Sequence, residues 1–304
     1  MMATLATAWN WLAVDPHQRR GVRALQVAIG GMLLFRVTTE ARFASYLWGP
    51  RGIGWGSAAH VLGPRLGGVI DLPFTTDVGT AAVLFALALA ALALLFGFWT
   101  RPATAVALLI FFALEQRLPE LPDGGDNITR LALTYMLFLL PPDAHPQPGS
   151  LRVWCHNVAV LAIALQVVIM YATSGFVKAS GDRWHHGVAM YYISQVEWFS
   201  LPSLRKVFLN PLATTVTTYA PMAYQIFFPF AVISPFKLPW LLLGVMFHLG
   251  VAVLMGLVPF SMVMIGLELF LISDREYARL GGRLRSISRR LVSGPRAAMW
   301  STTP

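Results

Sequence analysis

Tyr171, Ser174 and Lys178 are three and then four residues apart, so a helix sets a phenol, a hydroxyl and an amine along one face. The amine closes an apolar run and is soon followed by Gly181, Asp182, Arg183 and Trp184, which places it at or just inside a membrane boundary. Low dielectric favours a neutral amine, which is a base, whereas snorkelling to water keeps an ordinary cation. On this reading Lys178 has two hydroxyl neighbours, with Trp184, His185 and His186 just outside. The two histidines are adjacent and point in different directions, so they are not a metal pair on a helix, and no metal is expected.

Four further features carry polar chemistry into apolar surroundings. Arg36 and Glu40 are four apart and are expected to form a structural ion pair on one helix face. In Gly124-Gly-Asp-Asn-Ile-Thr-Arg130, Asp126 is placed to cap the following helix, with Asn127 and Thr129 near the orphan amides. The sharper reading of that segment puts Asp126, Asn127 and Arg130 in the wall of a polar pocket. His248 lies inside LLLGVMFHLGVAVLMG without a second histidine at helical spacing, so it reads as a hydrogen-bonded core residue or a pocket group. Glu268 interrupts the last apolar run; it must be paired, protonated or water-facing, and no role is assigned to it. Phosphate loops, nucleophile elbows, HExxH, dinucleotide fingerprints and the paired carboxylates of glycosidases are absent from the sequence.

The elements that must position these groups are membrane helices. With 56% apolar and 12% charged residues and a mean hydropathy of +0.61, the chain reads as an all-α, polytopic membrane bundle. Val78 to Trp99 has no charge and is long enough for a hydrocarbon core of about 30 Å. Eight spans are expected: Val22 to Val37, Val78 to Trp99, Ala103 to Leu118, Ile128 to Leu140, Trp154 to Val177, Leu212 to Ile233, Leu238 to Val258 and Phe260 to Ile272. His17, Arg19, Arg20 and Arg23 place the N-terminus in the cytoplasm. The arginines after the last span, Arg275, Arg279, Arg283, Arg285, Arg289, Arg290 and Arg296, place the C-terminus there too. The long segments Thr38 to Asp77, Arg117 to Asn127 and Lys178 to Pro211 then share the opposite face, which becomes the working face.

The expected organisation is an interfacial segment over 1–20, a transmembrane domain over 21–273 and a basic cytoplasmic tail over 274–304, in the cell membrane. The single Cys155 excludes an internal disulfide and reads as an apolar filler. The basic tail lacks the interleaved aromatics of a nucleic-acid module, so its expected partner is the lipid bilayer and not nucleic acid.

Three stretches carry a family resemblance. YATSGFVKASGDRWHHGVAMYY, Tyr171 to Tyr192, has an aromatic, a small-Gly pair, a lysine three after the glycine, then Trp, Gly and Tyr. With MFHLGVAVLMGLVPFSMVM, Met246 to Met264, and GGDNITRLALTYMLFLLP, Gly124 to Pro141, it resembles the horizontally transferred transmembrane (HTTM) domain proteins. These are relatives of the vitamin K-dependent γ-glutamyl carboxylase. The resemblance implies an all-helical membrane domain whose lysine, here Lys178, deprotonates a reduced quinone. In that family the oxygenated quinone then removes a γ-proton from glutamate, and CO₂ adds to the carbanion. This chain departs from the animal enzyme in having Ile128 where that enzyme has a histidine, Val177 where it has a second lysine, and no large lumenal domain.

The resemblance sets the expected site. Lys178 and His248 are the catalytic pair; Tyr171, Ser174, Asp126, Asn127, Arg130 and Trp184 line the pocket for a reduced, vitamin K-like quinone and a small or peptidic substrate. The second expectation is a non-catalytic membrane factor for maturation, export or immunity of a secreted peptide toxin. The third is a transporter, for which intramembrane charges speak and the lack of paired broken helices does not.

Overall fold

The computed structural model describes residues 9–197 and 200–292, and no strand occurs among them. Among the described residues nine helices organise the bundle: α1 Arg19–Glu40, α2 Asp77–Phe96, α3 Thr100–Arg117, α4 Gly124–Met136, α5 Leu151–Ser180, α6 Pro211–Ala231, α7 Lys237–Met255, α8 Val258–Leu271 and α9 Asp274–Val292. Further helical segments fill the connections, among them Ala59–Asp71, which kinks at Gly63, and the short Ala189–Gln195. Each of the eight expected apolar runs falls on one of α1 to α8, with ends that shift by a few residues. The run expected to reach Trp99 stops at Phe96 because Gly97 takes a left-handed conformation (φ 86°) and closes the helix.

Four of these helical segments are long and apolar enough to cross a membrane: Arg19–Leu47, Asp77–Phe96, Leu151–Ser180 and Lys237–Met255. Their outer faces agree. Val78, Phe85, Leu89 and Phe96 of α2, and Leu161, Leu165, Ile169 and Phe176 of α5, form exposed apolar stripes at helical spacing. Stripes of that extent on a protein surface suit hydrocarbon, not water.

Small residues set the packing. α1 runs between α2 and α8, α3 packs on α2, and α4 bridges α3 and α8. A Cβ on Gly30 would lie 2.7 Å from the Ala91 carbonyl oxygen, so only glycine lets α1 and α2 approach this closely. α5 packs chiefly on α6, and α7 packs mainly on α8.

Hydrogen bonds show which helix ends lie together. At one end Gln18 Nε2 donates to the Phe270 carbonyl, the Arg19 and Arg20 amides donate to Asp274, Arg23 reaches the Leu94 carbonyl and Arg101 the Leu139 carbonyl. Lys237 Nζ meets Glu276 Oε2 there at 2.8 Å. At the other end Arg117 donates to the carbonyls of Gly56 and Trp48, and Arg36 meets Asp126. His156 and Asn157, fully buried near the start of α5, hold the chain before α1: Asn157 Nδ2 donates to the carbonyls of Trp11, Leu12 and Asp15, and the His17 amide donates to Asn157 Oδ1. Asn157 and Lys178 are roughly 32 Å apart along α5 at about 1.5 Å per residue, close to a hydrocarbon thickness. Arg296 and residues 1–8 lie outside the described residues.

Candidate functional site

α5 carries its three polar residues as their spacing predicts: Tyr171, Ser174 and Lys178 all line one cavity of about 690 Å³. The cavity is enclosed by α5, α6, α7, the start of α8, the first turns of α4 and the chain between α5 and α6. Its wall is mainly apolar, with Met246, Val251, Leu254 and Phe260 among the lining side chains. Lys178 Nζ donates to Ser174 Oγ at 2.7 Å and sits 5.3 Å from the centre of the Trp184 ring. Among the described residues no carboxylate lies within ion-pair distance of this amine. Its surroundings are a hydroxyl, an indole face and the cavity.

Tyr171 does not serve Lys178. The expectation of two hydroxyl neighbours is corrected to one, because the Tyr171 hydroxyl turns to a network buried between α5, α6, α7 and α8. It donates to Glu268 Oε1 at 2.5 Å and lies 2.7 Å from His248 Nε2. Tyr224 donates to the same Glu268 oxygen at 3.0 Å, and His248 Nε2 is 3.8 Å from it. A phenol has one proton. With that proton given to Glu268, the imidazole Nε2–H is the donor to the Tyr171 oxygen, which makes a chain from His248 through Tyr171 to Glu268. All four side chains are at most 4% exposed. Glu268 Oε2 and His248 Nδ1 have no hydrogen-bond partner among the described residues.

The network is possible because α7 has no side chain where it passes. A Cβ on Gly244 would lie 2.1 Å from both Glu268 Oε1 and the Tyr224 hydroxyl. His248 is therefore both a hydrogen-bonded core residue and a wall of the cavity, so the two readings of its position hold together.

Comparison with known proteins gives partial likenesses. The chain is similar to the Bacillus subtilis (strain 168) protein YitO, 26% identical over 166 residues that cover 48% of this chain and 52% of YitO. It is also similar to the sporulation-delaying protein SdpB of the same strain, 29% identical over 109 residues that cover 34% of each chain. The chain thus matches about half the length of the first relative and a third of the second. No protein-family model and no solved structure matches it.

The other expected pocket residues stand apart from Lys178. Asp126, Asn127 and Arg130 do not line the large cavity. Asp126 faces a second one of about 260 Å³ together with Arg36, Glu40 and Asp123. Phe260 borders both cavities, so it stands between them. The expected pair is present, with Arg36 Nε 3.0 Å from Glu40 Oε1, and the other arm of that guanidinium meets Asp126. Arg130 spans Glu115 at 3.2 Å and Asn127 Oδ1 at 3.0 Å. The helix cap is corrected by three residues. Asp123 is the N-cap of α4, and Asp126 closes a capping box by accepting from the Asp123 amide.

Sequence reasoning passed over Tyr224, Gly244 and Glu115 and left Glu268 without a role. Glu268 carried a signal, an acid inside an apolar run, but its partners come from α5, α6 and α7, far away in the chain.

Proposed function

We propose that this chain is a multi-pass protein of the cell membrane of the HTTM type, crossing the bilayer eight times with both termini cytoplasmic. Its cavity binds a reduced quinone and uses Lys178 as the base in an oxygen-linked modification of a small or peptidic substrate. The observation that carries this reading is the Lys178 amine, without a carboxylate partner among the described residues and held by Ser174 at the edge of an apolar cavity of about 690 Å³. Both ends of the bundle support the topology, since the basic N-terminal turn, the α4–α5 linker and the start of α9 meet at one of them.

The residues fit such a guest. Cavities of roughly 300–1,000 Å³ with apolar walls and a few placed polar groups take molecules of this size. Met246, Val251 and Leu254 would cover a ring and its tail, and Lys178, Ser174 and Thr217 would face its hydroxyls. A bound quinol supplies an acidic hydroxyl and two reducing electrons. Lys178 takes the hydroxyl proton on Nζ, and Ser174 Oγ accepts from the ammonium so formed. Trp184 lies against that ammonium and shields it from water. The Tyr171–Glu268–Tyr224 bonds hold His248 in the wall.

The test is oxygen consumption by the purified protein in the presence of a reduced naphthoquinone, with Lys178→Met as the decisive variant. The expected result is uptake by wild type and its loss, by a hundredfold or more on the scale of general-base catalysis, in a variant that still binds the quinol. Uptake unchanged in Lys178→Met would end the enzymatic reading.

A second reading, a non-catalytic membrane factor for maturation, export or immunity of a secreted peptide toxin, draws support from the partial likeness to a sporulation-delaying protein. On that reading Lys178→Met leaves the function intact.

A further inference from the structure

The basic helix α9 takes no part in the cavity around Lys178. Two residues separate it from the end of α8, and its first turn is fixed to the bundle. Ser273 and Glu276 form a reciprocal cap, Glu276 also holds Lys237 of α7, and the Tyr277 hydroxyl donates to the Leu269 carbonyl. Tyr277 and Leu280 pack against the core. Along the sequence their spacing continues through Leu284, Ile287 and Leu291, an apolar stripe repeating by threes and fours. Arg275, Arg279, Arg283 and Arg285 are exposed, and helical geometry puts Arg275, Arg279 and Arg285 away from that stripe and Arg283 along its edge.

Its position narrows what the stripe can meet. α9 leaves the bundle at the end where Arg19, Arg20, Arg23, Arg101 and Lys237 also gather. The exposed apolar stripes of α2 and α5 show the bundle to be sheathed in hydrocarbon, so a helix starting where α8 stops lies at the level of the lipid headgroups. An amphipathic helix there, with arginines opposite an apolar stripe, complements a surface that is negative outside and oily beneath.

We propose that α9 is a membrane-surface arm that lies flat on an anionic phospholipid leaflet, stripe inward and arginines toward the phosphates. Each arginine near such a surface strengthens docking roughly fivefold, so losing three weakens it about a hundredfold. The inference is independent of the chemistry at Lys178.

The experiment uses the full chain in lipid vesicles. A cysteine placed by Gly281→Cys, in a Cys155→Ser background, carries an environment-sensitive dye; a Cβ there meets no atom within 4 Å, so the label is accommodated. Access of a neutral aqueous quencher is compared in phosphatidylcholine vesicles with and without about a third phosphatidylglycerol. The expected result is access several-fold lower in the anionic vesicles, restored by molar salt and by the triple change Arg279→Gln, Arg283→Gln, Arg285→Gln. Equal access in both lipids overturns the proposal, as does shielding that survives the triple change. Shielding that follows the protein-to-lipid ratio instead of lipid charge means that a second copy covers the stripe, and overturns it equally.

Discussion

Gly244→Ala tests the buried network with the smallest perturbation available. A methyl at that position would stand 2.1 Å from Glu268 Oε1 and from the Tyr224 hydroxyl, more than an ångström inside van der Waals contact. Glu268 Oε1 is also the oxygen that accepts from Tyr171 at 2.5 Å and from Tyr224 at 3.0 Å, so displacing it disrupts both bonds. Loss of two buried hydrogen bonds to an acidic group costs about 2–5 kcal/mol, and crowding a close helix crossing adds strain of about 1–3 kcal/mol. The expected outcome is a destabilisation of roughly 3–8 kcal/mol, read from denaturant titration of purified protein in detergent. Because the clash is with the carboxylate itself, Glu268→Ala should cost much less in the Gly244→Ala background than in wild type, a coupling of at least ~1 kcal/mol. A Gly244→Ala protein within about 0.5 kcal/mol of wild type, or additive single and double variants, would refute the close approach of α7 to Glu268.

Three other outcomes follow from the same contacts. Arg36→Met leaves Glu40 and Asp126 facing each other at the second cavity and should destabilise by roughly 2–4 kcal/mol, partly restored by adding Asp126→Leu; denaturant titration of the three proteins reads it. Asn157→Leu strips partners from the carbonyls of Trp11, Leu12 and Asp15, so the chain ahead of α1 should become open to protease in a digest that leaves wild type intact. Burial works to raise the Glu276 carboxyl, but hydrogen bonds from Lys237 and Ser273 outweigh it and hold it below its ordinary value. Its contribution is therefore complete above the ordinary glutamate range, near pH 4.3, and is lost as pH falls through the depressed value. A spin label on α9 should gain mobility in that acidic window, and Glu276→Gln should show the mobile spectrum at neutral pH.

Much of the bundle was legible because apolar helices announce themselves locally. Apolar length marks α1 to α8, Gly97 and the prolines at 211 and 259 punctuate them, and period 3.6 puts Tyr171, Ser174 and Lys178 on one face. Arg36 with Glu40 was legible for the same reason, since both partners lie on one helix within a single turn. The cap of α4 was misplaced because Asp123 and Asp126 are both capping residues, and only the backbone turn decides which is the cap and which closes the box.

The site itself lies on the other side of that divide. Spacing within one helix put the Tyr171 hydroxyl beside Lys178, yet a phenol bonds to the best acceptor it can reach. The acceptor is Glu268, nearly a hundred residues onward and brought within 2.5 Å by the crossing of α5 with α8. Asp126, Asn127 and Arg130 look like partners of Lys178 in the chain, but Asp126 faces a separate cavity across Phe260 and Arg130 bonds to Asn127 and Glu115, a division made by side-chain packing. Local chemistry therefore dictates which segments are helical and which of their faces are polar. Which polar faces meet depends on the close approach of helices, as where α7 offers Gly244 in place of a side chain, and no periodicity along one segment encodes a distance to another.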